Sequence, residues 1–412
     1  MKILVLNSGS GSEKASLFQS EHPFPPEPPK PLWEGLIDST APGQPTGKLV
    51  LKLQVAGHAE ENGNLPADSS RAERIRQLLR AVRNDARVLH EPEEIKAIGH
   101  RVVHGGAEYS SAVCVDEKVE RNIEHFAAFA PLHNEHNLQG IRVAREIFGS
   151  KTPQVAVFDT AFHRTLADVA AIYAGPYAWI GRGIRRYGFH GTSFRWAASR
   201  AAQLLGRKDD SELKLILCHL GGGCSLAATI GGRSVDTTMG FTPLDGIAMS
   251  TRSGSLDPGI LLFLLRQGVT VDDLDKTLNK ESGIKGLSGL AGDTRIVLPA
   301  AKKGDDRARL AIDVFVHRLR AGIGQMLAAI GGRPNAIIFT GAIGETEPAI
   351  RAAACEVFAF LGLQIDPEAN AASRADSDIA TITSSIRVFV IKAEENWQIA
   401  CECAELLRTT SR

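Results

Sequence analysis

In LVLNSGSGSEKASLF, residues 4–18, an apolar run breaks into alternating Gly and Ser and then resumes. The flanking apolar runs predict two short buried strands, and the segment between them predicts a hairpin turn. Backbone N–H groups and the hydroxyls of Ser8, Ser10 and Ser12 can point from such a turn into a cleft, close to the positive charge of Lys14. This combination predicts a site for phosphate groups.

The turn differs from two common phosphate-binding motifs. A Walker loop needs Gly and Lys adjacent before Ser or Thr at the start of a helix, but here Glu13 precedes Lys14 and an apolar strand follows. The dinucleotide-binding fingerprint does not fit either, because its third glycine is missing. A hairpin turn that carries phosphates is the remaining interpretation.

A second stretch follows the same plan about half the chain later. Both ILVLNSGSGSEKASL (3–17) and LILCHLGGGCSLAAT (215–229) have an apolar strand, one polar residue, a Gly-rich turn and a second apolar strand. A duplicated domain would give this repeat, with each half presenting a Gly turn to a shared cleft. Two unrelated hairpins would give it as well, so both alternatives stay open on the pattern alone.

Length and composition indicate a globular protein of two or three domains. The chain has 412 residues, of which 43% are hydrophobic and 23% are charged. Lys+Arg and Asp+Glu both number 47, so the zero net charge argues against a protein that coats nucleic acid or an anionic membrane. The start MKILVLN runs directly into the Gly turn and no apolar run suits a bilayer crossing, so we expect a cytoplasmic protein without a leader. The six cysteines contain no C-x-x-C pair, and we expect buried, reduced thiols.

The rest of the chain alternates predicted strands with predicted helices. Apolar residues in RAERIRQLLRAVRND (71–85) recur at i, i+3, i+4 and i+7, which predicts one buried helix face. A second helix is predicted near 306–330, and AIIFTGAIGE (336–345) predicts a strand followed by a Gly turn. The proline-rich HPFPPEPPKP (22–31) predicts an exposed connection between two strands. Strands that alternate with helices predict α/β layers.

Eight short segments occur in a fixed order over essentially the whole chain. They are HRVVHGG (100–106), APLHN (130–134), FDTAFH (158–163), YGFHGTS (187–193), HLGGGCS (219–225), DTTMGFTPLDG (236–246), TRSGSLDPG (251–259) and FTGAIGE (339–345). Any one of them is a weak signal, but the ordered set closely resembles the acetokinase family, within the superfamily of acetate and sugar kinases, actin and heat-shock chaperones. The resemblance implies an α/β fold of duplicated ribonuclease-H-like domains with an active-site cleft between them.

The resemblance also implies a division of the chain and an activity. It implies an N-terminal ribonuclease-H-like domain over 1–159, completed by a C-terminal helix over 392–412, and a nucleotide-binding and dimerisation domain over 160–391. The implied activity is acetate kinase: reversible, magnesium-dependent phosphoryl transfer between ATP and acetate, which gives acetyl phosphate and ADP by direct in-line transfer. The implied cation is Mg²⁺, with Mn²⁺ as an alternative, and the implied assembly is a homodimer.

Two arginines suit the charge requirements of such a reaction. Phosphoryl transfer needs positioning and positive charge where the equatorial phosphoryl oxygens gather charge. A guanidinium offers a planar fork to carboxylate or phosphoryl oxygens and stays charged. A lone Arg more often forms a surface salt bridge, but Arg252 lies on a constrained loop before the small-residue turn SGS. By resemblance, Arg101 binds the substrate carboxylate and Arg252 stabilises the transition state.

A histidine and an aspartate complete the expected catalytic group. His190, in YGFHGTS, matches the family's transition-state histidine, although a lone His is more often a core residue. Asp159 ends the apolar run VAVF, where a buried carboxylate is costly unless it is paired or linked to a metal. The family assigns it as an acid/base or a magnesium-orienting residue. The substrate carboxylate is already ionised at pH 7 and needs no base to activate it, so we expect Asp159 to have the magnesium-orienting role.

Metal, nucleotide and acyl contacts are carried over from the family, residue by residue. Magnesium prefers oxygen ligands, and Asn7 and Glu395 match the metal residues, with the adjacent Glu394 as the rival. The nucleotide contacts implied by the resemblance are Lys14, His219, Leu220, Gly221, Gly222, Gly223, Asp293, Thr294, Arg295, Ala342, Ile343, Gly344, Glu345 and Thr346. The substrate methyl group is expected among Val103, Leu132, Phe189 and Pro243, for which plain core packing is the alternative.

The chain departs from the family's usual residues at several positions. Gly11 stands where Ser is usual, Gly222 where Asn is usual, Ala342 where Gly is usual and Phe194 where His is common. These departures bear on nucleotide preference and affinity more than on the type of reaction.

Two alternative functions stay open. One is a propionate or butyrate kinase, and the other is a non-catalytic ATP-gated binding protein, as actin and the chaperones are. The presence of Arg101, Arg252 and His190 disfavours the binding protein, because it would not need a clamp for a carboxylate.

Overall fold

The computed structural model describes residues 1–8, 12–25, 27–38, 48–128 and 131–410, with the backbone alone at 48, 128 and 131–133. The chain divides into two compact units, which we call unit 1 (Met1–Ala161 with Glu394–Arg412) and unit 2 (Phe162–Ala393). None of the helices in the described ranges combines the length and the apolar character that a bilayer crossing requires.

Unit 1 is built on an eight-stranded sheet. Its strands are β1 (Lys2–Ser8), β2 (Ser12–Gln19), β3 (Trp33–Asp38), β4 (Lys48–Val55), β5 (Glu61–Pro66), β6 (Ile95–Val102), β7 (Val113–Cys114) and β8 (Gln154–Phe158). Its helices are α1 (Arg71–Arg83), α2 (Glu117–His125), α3 (Pro131–Phe148) and the C-terminal α15 (Glu395–Thr410), with 3₁₀ turns at Pro92–Glu94 and Phe126–Ala128. The strand order is β5-β4-β3-β2-β1-β6-β8-β7, in which β1, β6 and β8 run parallel.

Unit 2 is built on a six-stranded sheet. Its strands are β9 (Lys214–Leu220), β10 (Cys224–Ile230), β11 (Arg233–Thr237), β12 (Ala336–Thr340), β13 (Ser377–Asp378) and β14 (Arg387–Val390). Its helices are α4 (Asp168–Ala171), α5 (Ala178–Gly181), α6 (Gly191–Leu204), α7 (Pro258–Arg266), α8 (Val271–Lys280), α9 (Gly283–Ser288), α10 (Thr294–Lys302), α11 (Asp306–Ala329), α12 (Gly341–Thr346), α13 (Pro348–Glu356) and α14 (Pro367–Ala371). Further 3₁₀ turns lie at Ala161–Thr165 and Ala359–Leu361, and the strand order is β11-β10-β9-β12-β14-β13.

The two sheets share one topology. In unit 1, β1 pairs antiparallel with β2, β2 pairs antiparallel with β3, and β1 and β6 lead a parallel series that ends at β8. In unit 2, β9, β10 and β11 form the antiparallel part, and β9, β12 and β14 form the parallel series. The repeat noted in the sequence therefore gives the antiparallel pair β1 and β2 in one unit and the antiparallel pair β9 and β10 in the other, which confirms the duplicated fold; the predicted Gly/Ser turn at 9–11 lies outside the described residues.

Local predictions in unit 1 follow the hydrophobic pattern. The four apolar residues of the predicted helix face, Ile75, Leu78, Leu79 and Val82, are all buried on α1. Ser70 caps this helix by accepting a hydrogen bond from the Glu73 N–H. The described part of 22–31 is mostly exposed and connects the antiparallel pair β2 and β3, as predicted.

Two local predictions were wrong. The segment after β12 is not a Gly turn, because residues 341–346 form the short helix α12 directly after the strand. Cys114 is exposed, because it lies on β7 at the edge of the sheet, and Cys401 is only partly buried. The other four cysteines are buried and free.

The C-terminal helix is an integral part of unit 1. Trp397, Ile399 and Cys403 of α15 are buried, and α15 packs against β1 and β6. The approach to β6 is so close that a Cβ at Gly99 would lie 2.7 Å from both Cys403 Sγ and Ile399 Cγ2. This packing places Glu395, the first residue of α15, near the carboxyl end of β1.

Candidate active site

A polar cluster lies at the carboxyl ends of three adjacent strands of unit 1. Leu6 pairs with His100, so the following residues Asn7 and Arg101 lie side by side at the ends of β1 and β6. Asp159 comes directly after β8 and is 1% exposed. Parallel α/β sheets bind ligands at this edge, because the strand ends leave a crevice there.

Arg101 is held between carboxylates within this cluster. Its Nη2 and Nε donate to Asp159 Oδ2 at 2.6 and 3.0 Å, and its Nη1 lies 3.8 Å from Glu395 Oε2. Burial alone would lower the pKa of Arg101, but the Asp159 and Glu395 carboxylates raise it above its usual value. Arg101 is therefore a permanently charged donor that is fixed in one orientation.

Asn7 and Glu395 form an oxygen-rich pair beside Arg101. Asn7 Nδ2 donates to Glu395 Oε2 at 3.0 Å and to Asn396 Oδ1 at 2.9 Å, and Arg101 Nη1 lies 3.4 Å from Asn7 Oδ1. Asn396 in turn donates to Ser16 Oγ at 2.8 Å. An amide oxygen and a carboxylate suit a hard divalent cation, which keeps several waters and takes phosphate oxygens as further ligands.

The described residues contain no group of three or more His, Cys, Asp or Glu that could hold a metal by itself. A cation at the Asn7–Glu395 pair would thus depend on water and substrate oxygens for its other ligands. This donor set fits the implied Mg²⁺ better than a metal that needs a closed protein cage.

His190 stands at the start of α6 in unit 2 with an unusual backbone conformation. Its φ of 57° is left-handed, which is uncommon for a residue other than Gly and costs free energy. His163 fixes the preceding residue, since its Nε2 lies 3.0 Å from the Phe189 carbonyl oxygen. The His190 ring stacks on His219 with 4.3 Å between ring centroids, and its Nδ1 lies 2.8 Å from Ser225 Oγ.

The Gly triplet 221–223, between β9 and β10, meets His190 and Arg252. A Cβ at Gly223 would lie 3.0 Å from His190 Nε2 and 3.4 Å from Arg252 Nη1. The missing side chain therefore leaves room beside two cationic or hydrogen-bond-donating groups. Such an arrangement can stabilise the negative charge of a phosphoryl group.

The loop that carries Arg252 is clamped by backbone hydrogen bonds. Met249 N–H donates to the Arg252 carbonyl at 3.1 Å, and Ile284 N–H donates to the Met249 carbonyl at 2.9 Å. Gly283 is required at this contact, because its φ is 61° and a Cβ there would lie 2.1 Å from the Met249 carbonyl oxygen. The Arg252 side chain itself donates from Nη1 to the Pro243 carbonyl at 3.1 Å. These contacts give the Arg252 side chain a defined position.

The predicted nucleotide residues of unit 2 lie mostly at one sheet edge. The end of β9 with its Gly triplet adjoins the start of α12, since a Cβ at Gly341 would lie 2.8 Å from the Leu220 carbonyl oxygen. Asp293 caps α10 and pairs with Arg295 at 2.6 Å, and Thr294 Oγ1 donates to Glu347 Oε1 at 3.1 Å. The structure therefore brings residues 219–223 and 342–346 together. The hydrogen bond from Thr294 to Glu347 joins the start of α10 to the end of α12.

The remaining predicted residues divide between the two units. Lys14 pairs with Asn7 across β2 and β1 in unit 1, where Val103 is 5% exposed. Phe189 is 1% exposed in unit 2, and the Pro243 carbonyl accepts the Arg252 hydrogen bond. The Leu132 side chain lies outside the described residues, as does Gly11.

Three residues that contact the predicted site residues were not identified from the sequence. Ser225 contacts His190, Asn396 contacts Asn7, and His163 contacts the Phe189 carbonyl. His163 and Ser225 fall within the quoted segments FDTAFH and HLGGGCS, so proximity to those segments was the one available signal. Asn396 follows Glu395 directly and could have been considered with it.

Comparisons with known proteins agree with the resemblance seen in the sequence. The acetokinase family matches residues 2–401. The chain is 49% identical to an acetate kinase from Gloeobacter violaceus over 410 residues, covering 99% of this chain and 100% of the relative. A solved acetate kinase from Porphyromonas gingivalis is 33% identical with a TM-score of 0.86 and covers 98% of this chain and 99% of its own.

A solved propionate kinase from Francisella tularensis is equally similar in structure. It is 36% identical with a TM-score of 0.86, over 97% of this chain and 98% of its own. The match of the family over nearly the whole length, the full-length relatives and the shared fold leave one assignment. The chain belongs to the acetokinase family of phosphotransferases, whose acceptor is a carboxyl group.

Proposed function

We propose that the chain catalyses reversible phosphoryl transfer between ATP and acetate, giving acetyl phosphate and ADP by direct in-line transfer. The observation that carries the proposal is the fixed Arg101 guanidinium beside the Asn7–Glu395 oxygen pair at the strand ends of unit 1. A carboxylate-binding fork next to a cation site suits an acyl phosphate, which presents both a carbonyl oxygen and phosphate oxygens.

In this proposal Asn7 and Glu395 hold Mg²⁺, with Mn²⁺ as an alternative. The bound cation supplies positive charge against the phosphate oxygens of the nucleotide. Arg101 binds and orients the acetate carboxylate, and Asp159 orients Arg101 through its two hydrogen bonds. Acetate is ionised at neutral pH, so no general base is needed to activate it.

Arg252 and His190 supply donors to the phosphoryl group during transfer. The charge of the transferred group is spread over its equatorial oxygens, so fixed donors lower the barrier without reorganisation. The Gly turn 219–223, the start of α10 and the segment 342–346 bind the nucleotide, and Lys14 contributes a further positive charge. The methyl group of acetate rests among Val103, Leu132, Phe189 and Pro243.

A second candidate substrate is propionate, because a solved propionate kinase is as similar to this chain as the acetate kinase structure. A hydroxylamine trap decides between them: the protein is incubated with MgATP and acetate, propionate or butyrate, and the acyl hydroxamate is measured. We expect the kcat/KM for acetate to exceed that for propionate by roughly 10–200-fold, which is the discrimination that a small apolar pocket achieves for one methylene group. A higher kcat/KM for butyrate than for acetate would contradict the assignment, and no hydroxamate from any acid would contradict the activity itself.

We further infer a cytoplasmic homodimer that associates through α7 of unit 2. This helix, PGILLFLLR, has no buried residue, and its Leu262 and Phe263 are 54% and 58% exposed. An exposed apolar helix of this kind marks an association surface. Light scattering should give twice the 44.2 kDa chain mass, and Phe263→Glu should shift the protein towards monomer.

A further inference from the structure

His190 has a buried hydrogen-bond partner that the family resemblance did not name. Ser225 lies on β10, is fully buried, and its Oγ is 2.8 Å from His190 Nδ1. The left-handed backbone at His190 and the stack on His219 restrict the ring further. The Ser225 contact therefore acts on a ring whose position is already narrowly defined.

The direction of this hydrogen bond follows from the surroundings of Ser225. Among the described residues, the Ser225 hydroxyl has one hydrogen-bond partner, His190 Nδ1. If Nδ1 of a neutral ring carried the proton, the buried hydroxyl hydrogen would lack an acceptor, which is unfavourable. The serine therefore donates to Nδ1, and the proton of the neutral ring lies on Nε2.

The charged form of the ring leads to the same result at Nε2. In the imidazolium both ring nitrogens carry protons, so Nε2–H is again a donor, although Nδ1–H then donates to Ser225 Oγ and leaves the hydroxyl hydrogen without an acceptor among the described residues. Nε2 is the atom that faces the Gly223 position, 3.0 Å from where a Cβ would stand, with Arg252 Nη1 on the same side. A lone pair at Nε2 would repel phosphoryl oxygens there, whereas an N–H attracts them.

We propose that Ser225 is a positioning residue that holds His190 as an Nε2–H donor for the transferred phosphoryl group. Ser225 acts through His190 and does not contact the substrate. This role rests on the proposed function, because it gives His190 its donor property for that reaction. It predicts that the Ser225 hydroxyl matters for kcat and not for substrate affinity.

The same strand offers a matched control. Thr229 lies on β10 four residues after Ser225, on the same face, and is also fully buried. Its Oγ1 has no hydrogen-bond partner among the described residues. Thr229→Val thus removes a buried hydroxyl from the same strand without touching a histidine.

The kinetic test compares Ser225→Ala, Ser225→Thr and Thr229→Val with the wild type in the hydroxamate assay. We expect Ser225→Ala to lower kcat by about 10- to 100-fold, the effect of losing a hydrogen bond to a charged or polar catalytic group. The KM values for ATP and acetate should stay within about threefold, a free-energy change below 1 kcal/mol. Ser225→Thr, which keeps the hydroxyl, should recover most of the rate, and Thr229→Val should match the wild type.

A spectroscopic test reads the proton position directly, even if a variant fails to fold. The wild-type protein is labelled with ¹⁵N-histidine, and the His190 signals are assigned by their loss in His190→Gln. We expect Nε2 to be protonated across the pH range of activity, and Ser225→Ala to show a mixture of tautomers. A neutral His190 with its proton on Nδ1, an unchanged kcat in Ser225→Ala, or an equal loss in Thr229→Val would overturn the proposal.

The two proposals fail in different ways. If the wild type forms no hydroxamate, the proposed function is wrong, but the ¹⁵N spectra still report the His190 tautomer. If the wild type is active and the spectra or kinetics go against Ser225, only the role of Ser225 is wrong.

Discussion

Arg101 donates two hydrogen bonds to a single oxygen of Asp159, from Nη2 at 2.6 Å and from Nε at 3.0 Å. This contact occupies one edge of the guanidinium and turns the remaining nitrogen, Nη1, towards Asn7 and Glu395. The nearly inaccessible Asp159 carboxylate therefore sets the direction in which Arg101 presents its charge.

Replacing Asp159 with Asn should weaken the binding of acetate and destabilise unit 1. Asn keeps the size of the side chain but leaves the Arg101 charge less well compensated. We expect the KM for acetate to rise about tenfold or more, equivalent to at least ~1.4 kcal/mol, and the free energy of unfolding to fall by about 1–3 kcal/mol. Steady-state kinetics and thermal unfolding measure the two effects. An unchanged KM would mean that Asp159 does not orient Arg101 for the substrate.

Arg252→Ala should lower kcat by at least about 10³-fold, as arginines with this role do in other phosphoryl-transfer enzymes. ATP affinity should change much less, because the interaction is strongest in the transition state. Arg309→Ala is the control, since Arg309 is 61% exposed and pairs only with Asp306 among the contacts of the described chain. A kcat within tenfold of the wild type, or a loss explained by unfolding in circular dichroism, would speak against the proposed role.

Glu395→Gln should raise the magnesium concentration needed for half-maximal activity while leaving the fold intact. The substitution keeps the contact with Asn7 but removes the charged oxygen donor that a divalent cation prefers. The adjacent Glu394→Gln should keep the magnesium dependence of the wild type. The reverse result would place the cation at Glu394 instead. Magnesium titrations of initial rate, with circular dichroism as the folding control, distinguish the two.

Gly223→Ala should be more damaging than Gly222→Ala. A Cβ at Gly223 would lie 3.0 Å from His190 Nε2, whereas a Cβ at Gly222 would have open space within 4 Å. We expect kcat to fall by about 10- to 100-fold in the first variant, because even a small displacement of the reacting groups is costly. The loss in the second should be clearly smaller. Equal effects of the two alanines on kcat would contradict the space inferred at Gly223.

Stability should fall as the pH is lowered from about 6.5 towards 4, because of buried histidines. Burial lowers the pKa of His100 and His163 to about 4 from 6.5, so in this window the unfolded chain binds more protons than the folded one. Within this window, each such histidine lowers the free energy of unfolding by about 1.4 kcal/mol for each unit by which the pH falls. Urea unfolding at pH 7.5 and pH 5.5 measures the loss. His100→Gln should reduce it, while the exposed His90→Gln should not, and equal slopes in the three proteins would exclude this cause.

The fold and the family could be predicted because eight ordered segments of the chain resemble the acetokinase family. The alternation of apolar strands with Gly-rich segments at 3–17 and 215–229 predicts two similar strand pairs, and the structure confirms that β1 pairs antiparallel with β2 and β9 with β10. The helix α12 was missed because its Gly-rich sequence has low helix propensity, and its position after β12 is decided by packing in the folded unit. The exposure of Cys114 depends on its place at the sheet edge, which local sequence does not encode.

The site residues were predicted by resemblance, and their roles stay predictions. What the sequence could not provide is the set of side chains that hold them. Ser225 reaches His190 only because β10 and the start of α6 meet in unit 2, and the left-handed backbone at His190 aims the ring. Such contacts join residues that are far apart in the chain, so no spacing rule predicts them.

The discontinuous construction of unit 1 bears on how the protein folds during synthesis. Residues 162–393 form unit 2 without interruption, so this unit can fold as soon as its own segment has left the ribosome. Unit 1 begins first but lacks α15, whose Trp397, Ile399 and Cys403 cover β1 and β6. Until that helix emerges, the nascent chain exposes this apolar sheet face and lacks Glu395. Unit 1 therefore starts first and is completed last, and the candidate metal pair Asn7–Glu395 can form only once the C-terminal segment has been made.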